Sequence, residues 1–242
     1  MSALLPVTSP LLRPITYSTP MVLAIDKGIK SVTRRQVHLP VTLSSFAEFH
    51  HLDVIGQAVF TDGTVIPCPY GKVGDLLYIR EEHYRYGHWE EIEGVLTPTG
   101  QQKWKFVADS IEVLFDPPVS YRKGLRKNDP YTPSWYKRLA RFMPKVFVRT
   151  VLKVKQVRLE YLQDISEQDA VAEGIFKTLN IATDIYQYSA FDGFGHYYSG
   201  INAPIHAFRD LWEYINGMGS WQANPLVWVV EFQKTSLSPT LS

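Results

Sequence analysis

The sequence has little of what usually announces a function. A single cysteine, Cys68, stands among 242 residues. This excludes an intrachain disulfide framework and any zinc site built on two or four cysteines of one chain, and it fits a reducing compartment. No stretch approaches the eighteen or so consecutive apolar residues of a membrane-spanning helix. Residues 1–14 are interrupted by Pro6, Pro10 and Pro14 and lack a basic region of the secretory type. A soluble cytoplasmic protein without a membrane partner is therefore expected. There is no glycine-rich phosphate loop and no serine-hydrolase elbow. His50 with His51, and His83 with His88, have no recognised metal-ligand spacing, so neither a metal nor a cofactor is expected. Charge of one sign is also missing: 25 Lys and Arg against 24 Asp and Glu leave a net +1, so any field must be local.

What is present supports a folded core. Apolar residues make up 45% and charged residues 20%, which excludes disorder of the whole chain and fits one large domain or a small one with insertions. The near-zero charge is unevenly spread: residues 1–80 carry +2, 81–120 carry −5, 121–160 carry +10 and 161–242 carry −6. The basic block contains Arg122, Lys123, Arg126, Lys127, Lys137, Arg138 and Arg141, interleaved with Tyr121, Tyr131, Trp135, Tyr136, Phe142 and Phe147. Cations with aromatics suit phosphate contact and base stacking. The competing reading is a solvated face balanced by the acidic segments folded against it.

Local signals place the elements. Thr19, Pro20 and Gly28 bracket a helix over 19–27, followed by a strand-like run over 29–37. Another strand is expected over 76–81 after the Gly74-Asp75 turn. Residues 85–103 read as an excursion returning through a strand at 103–108, and 116–136 as proline-rich loop. Alternation over 145–160 predicts the longest strand, one face apolar and the other largely basic. Ser166 with Asp169, Ile165 stapled to Ala170, and Gly174 mark a short helix over 167–173. Phe208, Leu211, Trp212 and Ile215 mark an amphipathic helix, residues 226–232 a buried strand, and 235–242 a frayed tail. Strands with a few short helices and no regular βα alternation predict an α+β chain built on a small β-barrel.

The chemically informative cluster is Gly28-x-Lys30-x-x-Thr33-x-Arg35. A threonine hydroxyl attacks only when a neighbour takes its proton. A lysine serves if burial or nearby cations lower its pKa, and Arg34 and Arg35 are the cations at hand. Three residues apart on a flat strand the two side chains face opposite sides, so Lys30 must lie in the turn before the strand. Without that geometry Lys, Thr and Arg in a surface strand are simply solvated.

These residues resemble the signature G-x-K-x-x-E-x-R of the ASCH superfamily of PUA-like domains, in the form where Thr replaces Glu. Three further blocks resemble the longer ASCH-like proteins of phages and prophages. They are Cys68-Pro69-Tyr70-Gly71 through Gly74-Asp75 to Arg80-Glu81, Arg158-Leu159-Glu160 through Asp169-Ala170-Val171-Ala172-Glu173-Gly174, and Trp221-Gln222-Ala223-Asn224-Pro225 through Phe232. The resemblance covers residues 15–233. It implies a single PUA-like domain with short helices, long insertions at about 85–136 and 176–203, and terminal extensions 1–14 and 234–242, acting in a bacterial host cell.

The small ASCH enzymes remove the acetyl group from N4-acetylcytidine. By that likeness Lys30 is the proton acceptor, Thr33 the nucleophile and Glu173 the proton donor, while Gly28, Arg35 and Glu81 line the substrate pocket. RNA or a modified nucleoside is the implied partner. Two other classes of function compete: a non-enzymatic RNA-binding module, in which the cations hold phosphate and the aromatics stack bases, and a phage assembly or interaction protein. Cys68, between two prolines and with no base signalled beside it, reads as a packed turn residue. Tyr197-Tyr198 and Trp135-Tyr136 are candidates to stack bases or to fill a core.

Overall fold

A computed structural model describes residues 10–40, 47–53, 56–180, 185–190, 199–200 and 203–236. In chain order the elements begin with β1 (Leu12–Thr16), α1 (Thr19–Asp26), β2 (Val32–Gln36), β3 (Phe49–Leu52), β4 (Gln57–Phe60), β5 (Val65–Pro67) and β6 (Leu76–Arg80). Next come β7 (His83–Leu96), β8 (Gln102–Leu114), β9 (Arg122–Lys123) and β10 (Ser134–Arg138). The remainder is β11 (Val151–Tyr161), α2 (Glu167–Ala172), β12 (Ile175–Asn180), β13 (Ile185–Ala190), β14 (Ser199–Gly200), α3 (Pro204–Asn216) and β15 (Leu226–Thr235). The chain is α+β and rich in sheet. Its described strands form four open sheets, of five, four, three and three strands, so the closed barrel expected from the sequence is not formed among the described residues.

The chain divides into two compact units. The first holds residues 1–15, 19–79 and 149–239; the second holds 16–18, 80–148 and 240–242. The excursion expected at about 85–136 thus forms the greater part of the second unit. Residues 191–198, including Tyr197 and Tyr198, and parts of the other expected insertion lie outside the described residues.

The first unit is organised by the five-stranded sheet β1-β6-β11-β15-β2. One face packs Val32, Val227 and Val229 against α2 and α3 through Ala170, Phe208, Leu211 and Trp212. The opposite face packs Val37, Leu159, Leu226 and Trp228 against Ala58, Phe60 and Cys68. Leu211 and Trp212 are buried as expected, but Ile215 is 60% exposed because it falls in the last turn of α3 before Gly217. The expected strand over 145–160 begins only at Val151. After Pro144 the chain closes a single tight turn, Phe147 N–H to Pro144 O and Val148 N–H to Lys145 O, which leaves Val146 exposed.

The alternation of β11 is broken once. Val154 pairs with Phe232 and Gln156 with Glu231, so Lys155 is an extra residue in a bulge. Beyond it Leu159 lies opposite Trp228 on the apolar face, and Arg158 lies opposite Val229 on the helix-covered face. Without the bulge, period-two alternation would put Arg158 on the face of Val154.

The turn at Gly71 to Asp75 has a local structural reason. Buried Asp75 accepts the backbone N–H of Leu11 at 3.0 Å and of Lys72 at 3.1 Å. A side chain at Gly71, where φ is +84°, would run into that carboxylate.

The second unit is built on the sheet β8-β7-β10-β9, in which β9 and β10 are parallel. The expected excursion at 85–103 and its return strand at 103–108 are the two arms of one long hairpin, β7 and β8. Tyr136 is fully buried, edge-on to Trp89 and Phe106 at ring separations of 6.0 and 5.6 Å.

Candidate functional site

Lys30 sits between α1 and β2, as the nucleophile and base reading requires. The N–H groups of both Ile29 and Lys30 donate to Ala24 O, and Gly28 turns the chain with φ +71°. Ser31 then pairs with Ala172 O, joining the start of β2 to the end of α2. That short helix is capped by Ser166, whose Oγ accepts the Asp169 N–H at 3.1 Å, and it ends at Glu173, followed by Gly174 at φ +105°. A Cβ on Gly174 would lie 3.6 Å from the Lys30 Cβ, so the lysine stem packs over this glycine.

The two ends meet. Lys30 and Glu173 are each 4% exposed. Lys30 Nζ donates to Glu173 Oε2 at 2.6 Å and to the Glu173 carbonyl at 2.8 Å. Burial pushes the lysine pKa below its ordinary value; Glu173 opposes this, while Arg35 and Arg34 add to the lowering. The influence of the two arginines is in the direction read from the sequence.

Arg34 extends the pair into a charge network. It contacts Glu173 Oε1 at 3.5 Å, Glu160 Oε1 at 2.5 Å and Asp169 Oδ2 at 2.7 Å, and its guanidinium lies 5.9 Å from the Phe208 ring centre. Arg158 joins Asp169 Oδ2 and Glu231 Oε1, each at 2.6 Å. Burial opposes charge on Arg34, but Glu173, Asp169 and Glu160 raise its pKa above the ordinary value. Sequence reading missed most of this network. The signal is divided in the sequence: Asp169 marks a helix start, Arg158 and Glu160 lie in a strand run, and only the bulge puts Arg158 and Glu160 beside Arg34.

Thr33 and Arg35 occupy the other parity of β2, opposite Val230 and Trp228. Thr33 is buried, and its hydroxyl makes no side-chain hydrogen bond among the described residues. Lys30 Nζ meets Glu173 at the end of α2, on the helix-covered side, so the structure does not bring the Thr33 hydroxyl into contact with the Lys30–Glu173 pair, whereas Arg35 bears electrostatically on Lys30. Glu81 belongs to the second unit, where it is buried, with its N–H donating to Met143 Sδ at 3.3 Å. The Cys68 thiol is buried in the core, and burial pushes its pKa up to about 11, so it is a poor nucleophile.

The expected nucleic-acid residues all lie in the second unit, in different states. Arg122 is held by Asp129 at 2.6 Å and by the Tyr136 hydroxyl at 3.2 Å. Lys137 pairs with Glu82 at 2.7 Å. Lys123, Arg126, Lys127 and Arg141 are exposed. Arg138 is stacked among aromatic rings. Comparison of the chain with protein-family models, with curated proteins and with solved structures finds no match.

Proposed function

We propose that the chain is a PUA-like ASCH protein of phage or prophage type that recognises a modified nucleoside, free or within RNA, and hydrolyses an N4-acylated cytosine. The observation that carries this reading is the buried Lys30 amine, lowered in pKa and 2.6 Å from the Glu173 carboxylate. A lysine so placed releases its proton more readily than a free lysine, which favours it as a base, and a carboxylate in contact with it can pass the proton on.

In this reading Thr33 Oγ attacks the acyl carbon while neutral Lys30 takes the hydroxyl proton. The proton passes through Glu173 to N4, the carbon–nitrogen bond breaks, and cytidine leaves. Water then hydrolyses the threonine ester, releasing the carboxylic acid and restoring the hydroxyl. Arg35 or a backbone N–H near Gly28 would supply donors to the oxyanion.

Acetate release from N4-acetylcytidine tests it. Turnover is expected to fall to background in Thr33→Ala and Lys30→Ala. Because the base must be neutral, the wild-type rate should rise with pH along a limb whose midpoint lies below 10.5. Wild-type turnover no greater than that of the two variants would overturn the hydrolase.

The exposed cations of the second unit favour a second reading, a non-enzymatic RNA-binding module. It predicts steeply salt-dependent RNA binding that is lost on neutralising Lys123, Arg126 and Lys127 and unchanged in Thr33→Ala. Absence of binding to both RNA and nucleosides would favour an assembly protein.

A further inference from the structure

The second unit contains a cavity of about 360 Å³ bordered by Trp89, Leu139 and Phe142 on its apolar side and by Lys123, Lys137 and Arg138 as cations. That volume is at the small end of ligand pockets, matching one nucleotide rather than a duplex. The Lys137 charge is met by Glu82, which also lines the cavity. Arg138 is different. Its guanidinium lies 4.3 Å from the Phe106 ring centre, 5.0 Å from Trp89 and 5.1 Å from Phe142, and it has no carboxylate or carbonyl partner among the described residues. Three rings hold the planar fork in place while its donors remain to be satisfied, an arrangement suited to an anion with several oxygens. Phe142 is 51% exposed, which leaves ring surface at the cavity mouth, and Lys123 is exposed beside it. Arg141, also exposed and 5.0 Å over the Phe142 ring, is the side chain a base would displace.

We propose that this cavity binds one nucleotide of a single-stranded nucleic acid, with its phosphate on Arg138 and Lys123 and its base stacked on Phe142. The site is distinct from the Lys30 site. It deepens the reading of a nucleic-acid ligand and rests on that reading for the polymer's identity.

Fluorescence anisotropy of the full chain with labelled decauridylate and with a duplex of equal length tests the site. Single strand should bind better than duplex. Phe142→Ala should weaken binding about tenfold through lost stacking. Lys123→Glu should weaken it and flatten the salt slope by about one. Arg138→Lys, which keeps the charge but loses the planar fork, should also weaken it. Phe142 and Lys123 are exposed, so the test stands even if the Arg138 variant does not fold. Uridine 5′-monophosphate should compete better than uridine or inorganic phosphate alone. Unchanged affinity in Phe142→Ala and Lys123→Glu, or equal competition by a glutamate decapeptide, would overturn the site. Acetate release from N4-acetylcytidine, read on the same proteins, separates a failure here from a failure at Lys30.

Discussion

Lys30 and Glu173 are 143 residues apart in sequence, yet each is the nearest opposite charge to the other inside the first unit. A buried pair resists the loss of one partner more than the loss of both, because a single deletion leaves an uncompensated charge. Lys30→Met alone and Glu173→Leu alone should each cost about 3–5 kcal/mol in urea unfolding, and the double variant should recover most of it. Losses that simply add would show the two residues to be independent. The pH dependence has a definite sign. The folded-state pKa of Lys30 lies below 10.5, so between the two values the unfolded chain holds a proton that the folded chain has released. Stability relative to Lys30→Met should therefore rise with pH across that window. Lys30 and Thr33 stand out in the sequence as residue types at a characteristic spacing, Glu173 only through the resemblance to the ASCH superfamily, and the lowering of the lysine pKa is legible from its neighbours. Arg34 as the hub of a network is not, because its partners come from β11, α2 and the end of α2, and strand parity cannot be read across an unseen bulge.

At the scale of elements, that bulge decides which side of β11 carries charge. Lys155 is exposed, so Lys155→Ala should change stability by no more than about 0.5 kcal/mol. Deleting Lys155 should cost at least about 3 kcal/mol, because it drives Arg158 and Glu160 toward the face of Trp228, strips Glu231 of Arg158 and Arg34 of Glu160, and leaves Asp169 with Arg34 alone. Equal stability of the two variants in urea titrations would show that the strand absorbs the extra residue elsewhere. The sequence marks α1, α2, α3, β6 and β15 with caps, glycines and apolar runs. It marks β11 as continuous alternation from 145 onward, whereas the chain first closes a local turn after Pro144 and the bulge depends on pairing with β15. The hairpin of β7 and β8 was half legible, since its glutamate-rich and glycine-interrupted strands carry a weak apolar period.

For the whole molecule, the second unit enters and leaves the first through neighbouring positions: Leu77 pairs with Leu152, Tyr78 with Val151, and Ile79 N–H donates to Thr150 O. An insertion whose ends are already held together adds little closure entropy to its host. Each unit carries three tryptophans, Trp89, Trp104 and Trp135 in the second and Trp212, Trp221 and Trp228 in the first. With the three of one unit replaced by Phe, the remaining set should report its own urea midpoint, and the two midpoints should differ. Superimposable curves would mean one cooperative block. The sequence's alternating blocks of charge showed that residues 121–160 were unusual. They did not show that the chain border between the units, near residue 148, cuts that block in two.

The position of β15 between β11 and β2 also sets an order of events during synthesis. The strand at 226–235 fills the gap in the five-stranded sheet, so the sheet and the Arg158–Glu231 contact must wait until this late segment has left the ribosome. Residues 80–148, nearly all of the second unit, emerge long before it and make their sheet contacts among themselves. During translation the aromatic cavity can therefore form while the five-stranded sheet still lacks β15 and its link to β2, and a transcript cut short before residue 226 would yield a chain with the cavity but an incomplete first sheet.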